Sequence, residues 1–276
     1  MLLLPFSFPA VPGLTGGSQW DKNKMKEEHL LYKEHDYEVV IVGSSITGTL
    51  VDLPESWYNL AMAGRSSITG LDVICESNIN PCTVVIETNV LKSNQRSSDN
   101  FLNKRLKKEH SAFLAENKPA HVGLRTLATL AGFKQRSQRP ITNLVLSKPD
   151  EITVSNELFS GMLDRRKMAD SKLMDASKLK DRINKIKNSV EALEARGFKV
   201  LFIEVPECHQ TLNSLRKTQI RDAFHSAFPL DKYNWHDDSK NINYYASNDA
   251  IHLTANSAKR FRLTLVEHVT GQKPDP

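Results

Sequence analysis

The sequence predicts an α/β fold of three layers, in which a central, mostly parallel β-sheet lies between two layers of helices. In the first third of the chain, three short apolar runs each end at a turn, and a segment with helical spacing lies between the second and third. This succession of strand, turn and helix is typical of a parallel sheet with right-handed crossovers. Hydrophobic residues make up 39% of the 276 residues and charged residues 25%, a composition that can fill a core and excludes a disordered chain.

The first predicted strand covers residues 37–43, a β-branched run that ends in glycine, as buried parallel strands often do. The second and third strands are predicted at residues 57–62 and 83–86. Between them, residues 66–77 place apolar side chains at three-residue steps, which predicts a helix.

In the second half of the chain, residues 179–193 repeat apolar side chains at steps of four and three, which predicts an amphipathic helix. The apolar run at residues 199–205 follows directly and is interpreted as a fourth parallel strand. A final helix is predicted to begin near Thr254 or Asn256 and to end at His268.

The predicted organisation is an apolar arm and linker over residues 1–36, followed by a single domain over residues 37–276. A basic, partly helical insertion interrupts this domain at about residues 92–178, and its second part, residues 140–178, is predicted to be a loop with short helices. Residues 92–139 hold eleven Lys and Arg against three Asp and Glu. We expect this segment to be a solvated surface or to attract an anionic polymer. A nucleic-acid groove is the alternative, although few aromatic residues accompany the charge.

Composition also limits the class of protein. The net charge of +5 is too small to indicate nucleic-acid binding by itself, and no apolar run reaches the roughly 18 residues that a membrane-spanning helix needs. Residues 1–17 are apolar but contain three prolines. They would be an arm lying against the domain, the remnant of a membrane anchor or a degenerate signal.

Neither the cysteines nor the histidines predict a metal site. Three cysteines exclude a four-cysteine zinc site, and Cys75 and Cys82 would either pair in an oxidising compartment or remain separate thiols. The run from His236 to Asp238 invites a metal interpretation, but adjacent side chains on a loop point apart. We therefore predict no metal and no cofactor.

Three of the predicted strand ends carry groups suited to acyl transfer. Ser45 follows the first strand at a tight turn, where its hydroxyl can act as a nucleophile and its N–H can face the reaction centre. Gly64 after the second strand can offer a second backbone N–H, and Asn89 after the third can offer a side-chain amide. Three donors that converge on one oxygen would form an oxyanion hole. The alternative is that these are ordinary turn residues, with Ser44 and Ser45 capping the next helix.

A base for the serine is predicted late in the chain. Asp249 stands three residues ahead of His252, a spacing that lets the carboxylate accept from one ring nitrogen while the other faces the serine. The alternative is a surface histidine beside an unrelated loop carboxylate.

Four sequence blocks in this order resemble the SGNH (GDSL-type) serine hydrolases. They are GSS after the first strand, NLAMAG after the second, ETN after the third and DAIH before the last helix, and the resemblance spans residues 37–269. It implies a three-layer αβα catalytic domain of the SGNH-hydrolase, flavodoxin-like type. The nucleophile would be Ser45, the general base His252 and its orienting partner Asp249.

Two departures from the family pattern bear on the site. Gly43-Ser44-Ser45 replaces the family's Gly-Asp-Ser, which leaves Ser44 as an alternative nucleophile. The third block keeps Asn89 but has Glu87 in place of glycine, so the pocket floor should differ.

The chain has a GSS opening, an E-x-N third block and a basic insertion. In these features it is similar to SGNH proteins linked to bacterial envelope or exopolysaccharide O-acetylation. The resemblance implies a serine esterase or O-acetyltransferase that acts on an acylated small molecule or polysaccharide in the cell envelope or periplasm, with the cytoplasm as the alternative compartment. A membrane-associated partner would contact the N-terminus, and no nucleic acid is expected. The alternative function is a non-catalytic polysaccharide-binding protein with the same fold.

Overall fold

Five parallel strands form the centre of the computed structural model, which describes residues 19–32, 36–91 and 156–272. The strands are β1 (Val39–Val42), β2 (Trp57–Asn59), β3 (Thr83–Glu87), β4 (Lys199–Ile203) and β5 (Asn234–His236). Their order across the sheet is β2-β1-β3-β4-β5, the order of a doubly wound sheet. Residues 1–18 of the predicted arm and residues 92–155 of the predicted insertion lie outside the described residues.

Helices cover both faces of this sheet. The described α-helices are α1 (Gln19–Tyr32), α2 (Ser67–Glu76), α3 (Asn156–Asp170), α4 (Ala176–Ala195), α5 (Leu215–Ala227) and α6 (Ala255–Thr270). Val40 and Phe202 point to one face, where they share a core with side chains of α2, α4 and α5. Their neighbours Ile41 and Ile203 point to the other face and pack with α6. The predicted three-layer fold with a parallel sheet is confirmed.

Helix α1 belongs to the packed structure. Residues 21–34, which lie in the predicted linker and are rich in Lys and Glu, predict a solvated helix or linker, and a helix is indeed present there. However, Leu30 is only 1% exposed and joins the core under α2, so the helix is packed rather than solvated.

The second half of the chain contains elements that the apolar pattern did not predict. Helix α3 lies in the region predicted to be a loop with short helices, and α5 and β5 follow β4 where neither was predicted. Cys75 and Cys82 are both free, so the separate-thiol alternative describes this structure.

The strand order determines where a ligand site can form. β1 and β3 are neighbours at the centre of the sheet, and their connections leave in opposite directions, which makes this pair the topological switch point. The loops that follow β1 and β3 therefore meet at the carboxyl edge of the sheet, where doubly wound proteins bind ligands.

Candidate active site

The turn after β1 is held by a buried carboxylate. Glu87, at the end of β3, is 1% exposed and accepts four hydrogen bonds from this turn. They come from the Ser44 N–H at 2.8 Å and hydroxyl at 2.7 Å, and from the Thr47 hydroxyl at 2.7 Å and N–H at 3.2 Å. Burial raises the pKa of Glu87, and the four donors oppose that rise. A side chain at Gly43 would lie 2.5 Å from the same carboxylate, so the close approach requires glycine.

The Glu87 contacts separate the roles of the two serines. Ser44 is buried, and its hydroxyl donates to Glu87 while accepting the Ile46 N–H at 3.1 Å. Ser45 is only partly buried, and its hydroxyl points toward the loop before α6. Of the two hydroxyls, that of Ser45 is therefore the one available for chemistry.

The loop before α6 presents a histidine to Ser45. A bridge between Ser247 and Leu253 closes a short hairpin. In this hairpin the Asp249 carboxylate accepts a hydrogen bond from the backbone N–H of His252 at 2.7 Å. Asp249 Oδ2 also lies 2.6 Å from His252 Nδ1, and His252 Nε2 lies 2.9 Å from Ser45 Oγ. The left-handed backbone of Ala250, with φ of 64°, makes the turn tight enough for these contacts. Carboxylate, imidazole and hydroxyl thus form one chain of hydrogen bonds.

The charges around this chain tune the two titrating groups in opposite directions. Burial alone would lower the pKa of His252, but the hydrogen bond and negative charge of Asp249 outweigh burial, assisted by Glu207 and Glu87, so the pKa is raised. Burial would raise the pKa of Asp249, yet the bonds from His252 and the Ile251 N–H lower it. The arrangement therefore pairs a more basic imidazole with an ionised carboxylate.

Gly64 lies in a turn beside the serine loop. The Arg65 N–H donates to the Met62 carbonyl at 3.0 Å, and Gly64 has a φ of 75°, which is easily reached only by glycine. The Met62 N–H donates to the Gly43 carbonyl at 3.0 Å, so the turns after β1 and β2 are joined directly.

Asn89 makes contacts that the sequence did not predict. Its side-chain oxygen accepts the Val205 N–H at 2.8 Å, and its amide donates to the Val205 carbonyl at 2.8 Å and to Glu207 Oε1 at 3.0 Å. Both amide hydrogens are therefore engaged with the end of β4 and the residues after it. In this arrangement the Asn89 amide fastens β3 to β4, and it would have to leave Glu207 to donate to an oxyanion.

Glu207 belongs to a buried ionic cluster that sequence reasoning missed. Its Oε2 lies 2.9 Å from Lys217 Nζ on α5 and 3.4 Å from Arg166 on α3, and Arg166 also pairs with Asp170 at 2.7 Å. Glu207 and Lys217 are both almost fully buried. The available signal was a glutamate two residues after the predicted fourth strand, but its partners come from helices that the pattern did not predict.

Helix α3 borders the histidine hairpin. Ala250 is fully buried and packs in one cluster with Leu163 of α3 and Cys208, with Phe159 against them. The helix therefore supports the backbone that carries Asp249 and His252.

Within the described ranges, no group of three His, Cys, Asp or Glu side chains lies close enough to hold a metal ion. The His236 to Asp238 run illustrates why. His236 Nε2 lies 3.2 Å from the Thr264 hydroxyl, while Asp238 accepts from Asn241 and from the Tyr245 hydroxyl. Nor do the described helices include one with the length and apolar character needed to cross a bilayer.

Comparison of the chain with known proteins adds no family assignment. No family model matches the sequence, and no curated protein matches it significantly. The geometry of the site and the resemblance of the four sequence blocks are therefore the two indications of function in this chain.

Proposed function

We propose that the protein is a serine-dependent acyl-ester hydrolase or O-acyltransferase of the SGNH type that works through an acyl-enzyme. The observation that carries this proposal is the continuous chain of hydrogen bonds from Asp249 through His252 to Ser45, with distances of 2.6 and 2.9 Å. Residues 207 positions apart contribute to it. A hydroxyl with its own oriented base is the arrangement that nucleophilic catalysis requires.

In the first half of the reaction, Ser45 Oγ attacks the ester carbonyl carbon while His252 Nε2 takes the hydroxyl proton. The carbonyl oxygen becomes an oxyanion, and His252 then returns the proton to the departing alcohol oxygen as the C–O bond breaks. The product is an acyl ester of Ser45. In the second half, His252 takes a proton from water or a sugar hydroxyl as that oxygen attacks the acyl carbon. His252 then returns the proton to Ser45 Oγ as the bond between the acyl carbon and Oγ breaks, which releases a carboxylic acid or an acylated sugar and regenerates Ser45.

The oxyanion is proposed to accept from the N–H groups of Ser45 and Gly64. Among the described residues, no acceptor takes the Ser45 N–H, and the turn of Gly64 is bonded directly to the serine loop. Asn89 is the third proposed donor, and it can contribute only when its amide releases Glu207. The two proposed backbone donors are therefore the N–H groups of Ser45 and Gly64, with the Asn89 amide as the third donor.

We propose an acylated carbohydrate as the substrate, with acetyl as the transferred group and the cell envelope as the compartment. The block resemblance to O-acetylation proteins supports this choice, and so does the excess of positive charge in residues 92–139, which would attract an acidic polymer. A membrane-associated partner at the N-terminus is part of the same proposal.

A fluorophosphonate probe tests the nucleophile directly because it forms a covalent bond only with an activated serine. We expect the wild-type protein to be labelled and Ser45→Ala to be unlabelled. Ser56→Ala removes a partly buried serine hydroxyl that bonds to Glu38 outside the site, and this variant should be labelled at the wild-type rate. Ser44→Ala should also remain labelled, although more slowly.

Two outcomes would contradict the proposal. An unlabelled wild-type protein would favour the non-catalytic polysaccharide-binding alternative, and labelling of Ser45→Ala would exclude Ser45 as the nucleophile. For an active protein, acetate release from an aryl acetate with and without an oligosaccharide separates the two reactions. A transferase yields acetylated sugar, whereas a hydrolase is indifferent to the sugar.

A further inference from the structure

Helix α1 makes polar contacts with the turn that contains Gly64. Asn23 Nδ2 donates to the Ala63 carbonyl at 3.0 Å, and Lys26 Nζ donates to the Ala61 carbonyl at 2.7 Å. These two side chains come from adjacent positions on one face of the helix, three residues apart. Gln19 lies near the same turn, because its Nε2 would be 2.7 Å from a Cβ atom at Gly64.

Because the peptide group is planar, the direction of each carbonyl fixes the direction of the N–H group of the following residue. In a trans peptide, the carbonyl of one residue and the N–H of the following residue point in opposite directions. The Ala61 carbonyl faces Lys26 on α1, and the Met62 N–H of the same peptide donates to Gly43 in the serine loop. In this segment, a backbone N–H that points away from α1 therefore points toward the serine loop.

The peptide between Ala63 and Gly64 is held on the α1 side in the same way. Asn23 holds its carbonyl on the α1 side, so the Gly64 N–H is directed to the opposite side, where the serine loop lies. The N–H that the proposed mechanism assigns to the oxyanion is thus oriented from the other end of its own peptide group.

This peptide is the one in the turn that can rotate. With a φ of 75° at Gly64 and a negative φ at Ala63, the turn from Met62 to Arg65 is of type II. Types I and II differ mainly by a rotation of the central peptide through about half a turn. In the type I form, the Ala63 carbonyl and the Gly64 N–H would exchange directions, and the bond to Asn23 would be lost.

We propose that α1 is a positioning element for the oxyanion hole, in which Asn23 holds the Ala63–Gly64 peptide in the orientation that aims the Gly64 N–H at the substrate. Lys26 fixes the Ala61–Met62 peptide in the same way. This inference rests on the proposed function, since it assigns a role to Gly64 in that reaction.

Helix α1 is anchored firmly enough for such a role. Leu30 is buried in the core, and the Tyr58 hydroxyl on β2 donates to the Lys26 carbonyl at 2.8 Å. The His29 ring stacks on the Tyr58 ring with centroids 5.1 Å apart. These contacts do not involve Asn23, so its side chain can be changed without releasing the helix.

The test is the rate of fluorophosphonate labelling, because the phosphoryl oxygen of the probe occupies the oxyanion hole during the reaction. Asn23→Leu keeps the size of the side chain and removes the N–H donor, and it should slow labelling by roughly tenfold to a hundredfold. Met25→Ala alters an exposed side chain of the same helix and should label within about twofold of the wild type. With an aryl acetate, Asn23→Leu should lower kcat and leave KM nearly unchanged.

Lys26→Met provides a second variant, since it keeps the aliphatic stem and loses the donor to Ala61. Lys26→Met should also be labelled more slowly than the wild type. It therefore tests the role of α1 even if Asn23→Leu lowers the melting temperature of the protein. Labelling of both variants at the wild-type rate would overturn the role of α1 while leaving the proposed function intact. An unlabelled wild-type protein, in contrast, would overturn the proposed function and this inference with it.

Discussion

The imidazole of His252 determines the pH dependence that the proposed reaction should show. The base must be neutral to accept the Ser45 proton, and the pKa of His252 is raised above 6.5 by Asp249, which outweighs burial. We therefore expect kcat/KM for an aryl acetate to be constant at high pH and to fall as the pH drops through a value above 6.5. Activity should be lost on acidification because protonation of His252 removes the base.

Asp249→Asn separates this effect from other titrations. The variant loses the charge that raises the pKa of His252, so the acidic limb of the plot of kcat/KM against pH should move to lower pH. In addition, kcat should fall by about 10⁴-fold. His209→Gln changes an exposed histidine and should keep the wild-type limb. An Asp249→Asn profile with an unshifted limb would show that this carboxylate does not act on His252.

The serine turn depends on Glu87 as a unit of structure. Four donors of Ser44 and Thr47 converge on one buried carboxylate, and each donor left without an acceptor costs about 1–3 kcal/mol. In Glu87→Gln, one carboxylate oxygen becomes an NH₂ group that faces other donors. We expect the variant to lose about 2 kcal/mol in the free energy of unfolding and to label with fluorophosphonate roughly tenfold more slowly.

Glu38→Gln is the matched control for this substitution. Glu38 is exposed and accepts a hydrogen bond from Ser56 at 2.7 Å, so the same chemical change occurs in water. Its free energy of unfolding should stay within about 0.5 kcal/mol of the wild type, as measured by urea denaturation. Equal stability of the two variants would show that Glu87 does not support the turn.

The elements differ in how well their own sequence predicted them. Strands β1, β3 and β4 are continuous apolar runs, and α4 has a regular apolar stripe, so local pattern was sufficient. β5 has only three residues, two of them polar, and it is defined by its pairing with β4.

The remaining helices depend on distant partners. α3 and α5 bury few apolar side chains, and the charged partners Arg166 and Lys217 meet Glu207 only in the folded chain. No local pattern carries that information.

The candidate site shows the same division. Asp249 and His252 contact each other within one short hairpin, so their spacing was enough to predict the pair, and the parallel sheet was enough to bring them near the end of β1. The engagement of Asn89 could not be predicted, because it depends on Glu207, 118 positions away. Likewise, nothing in residues 19–32 indicates that Asn23 contacts Ala63.

At the scale of the whole molecule, His236 links the sheet to the outer helix. It is 7% exposed at the end of β5, packs on Phe261 of α6 with ring centroids 5.3 Å apart, and lies beside His268. Burial, assisted by the positive charge of His268, lowers its pKa to about 4, although Asp238 and Asp237 oppose the shift. The folded protein therefore holds this histidine neutral where the unfolded chain would bind a proton.

Acid should destabilise the fold through this residue. The pKa of His236 is lower in the folded state, so its contribution to stability is complete above about pH 6.5 and is lost as the pH falls toward 4. Between pH 8 and pH 5 this loss amounts to about 2 kcal/mol. Glutamine does not titrate, so the free energy of unfolding of His236→Gln, measured by urea denaturation, should fall between pH 8 and pH 5 by about 2 kcal/mol less than that of the wild type. The control His209→Gln changes an exposed histidine, and its free energy of unfolding should fall as much as that of the wild type. Parallel stability profiles for wild type and His236→Gln would mean that protonation of His236 does not couple the sheet to α6.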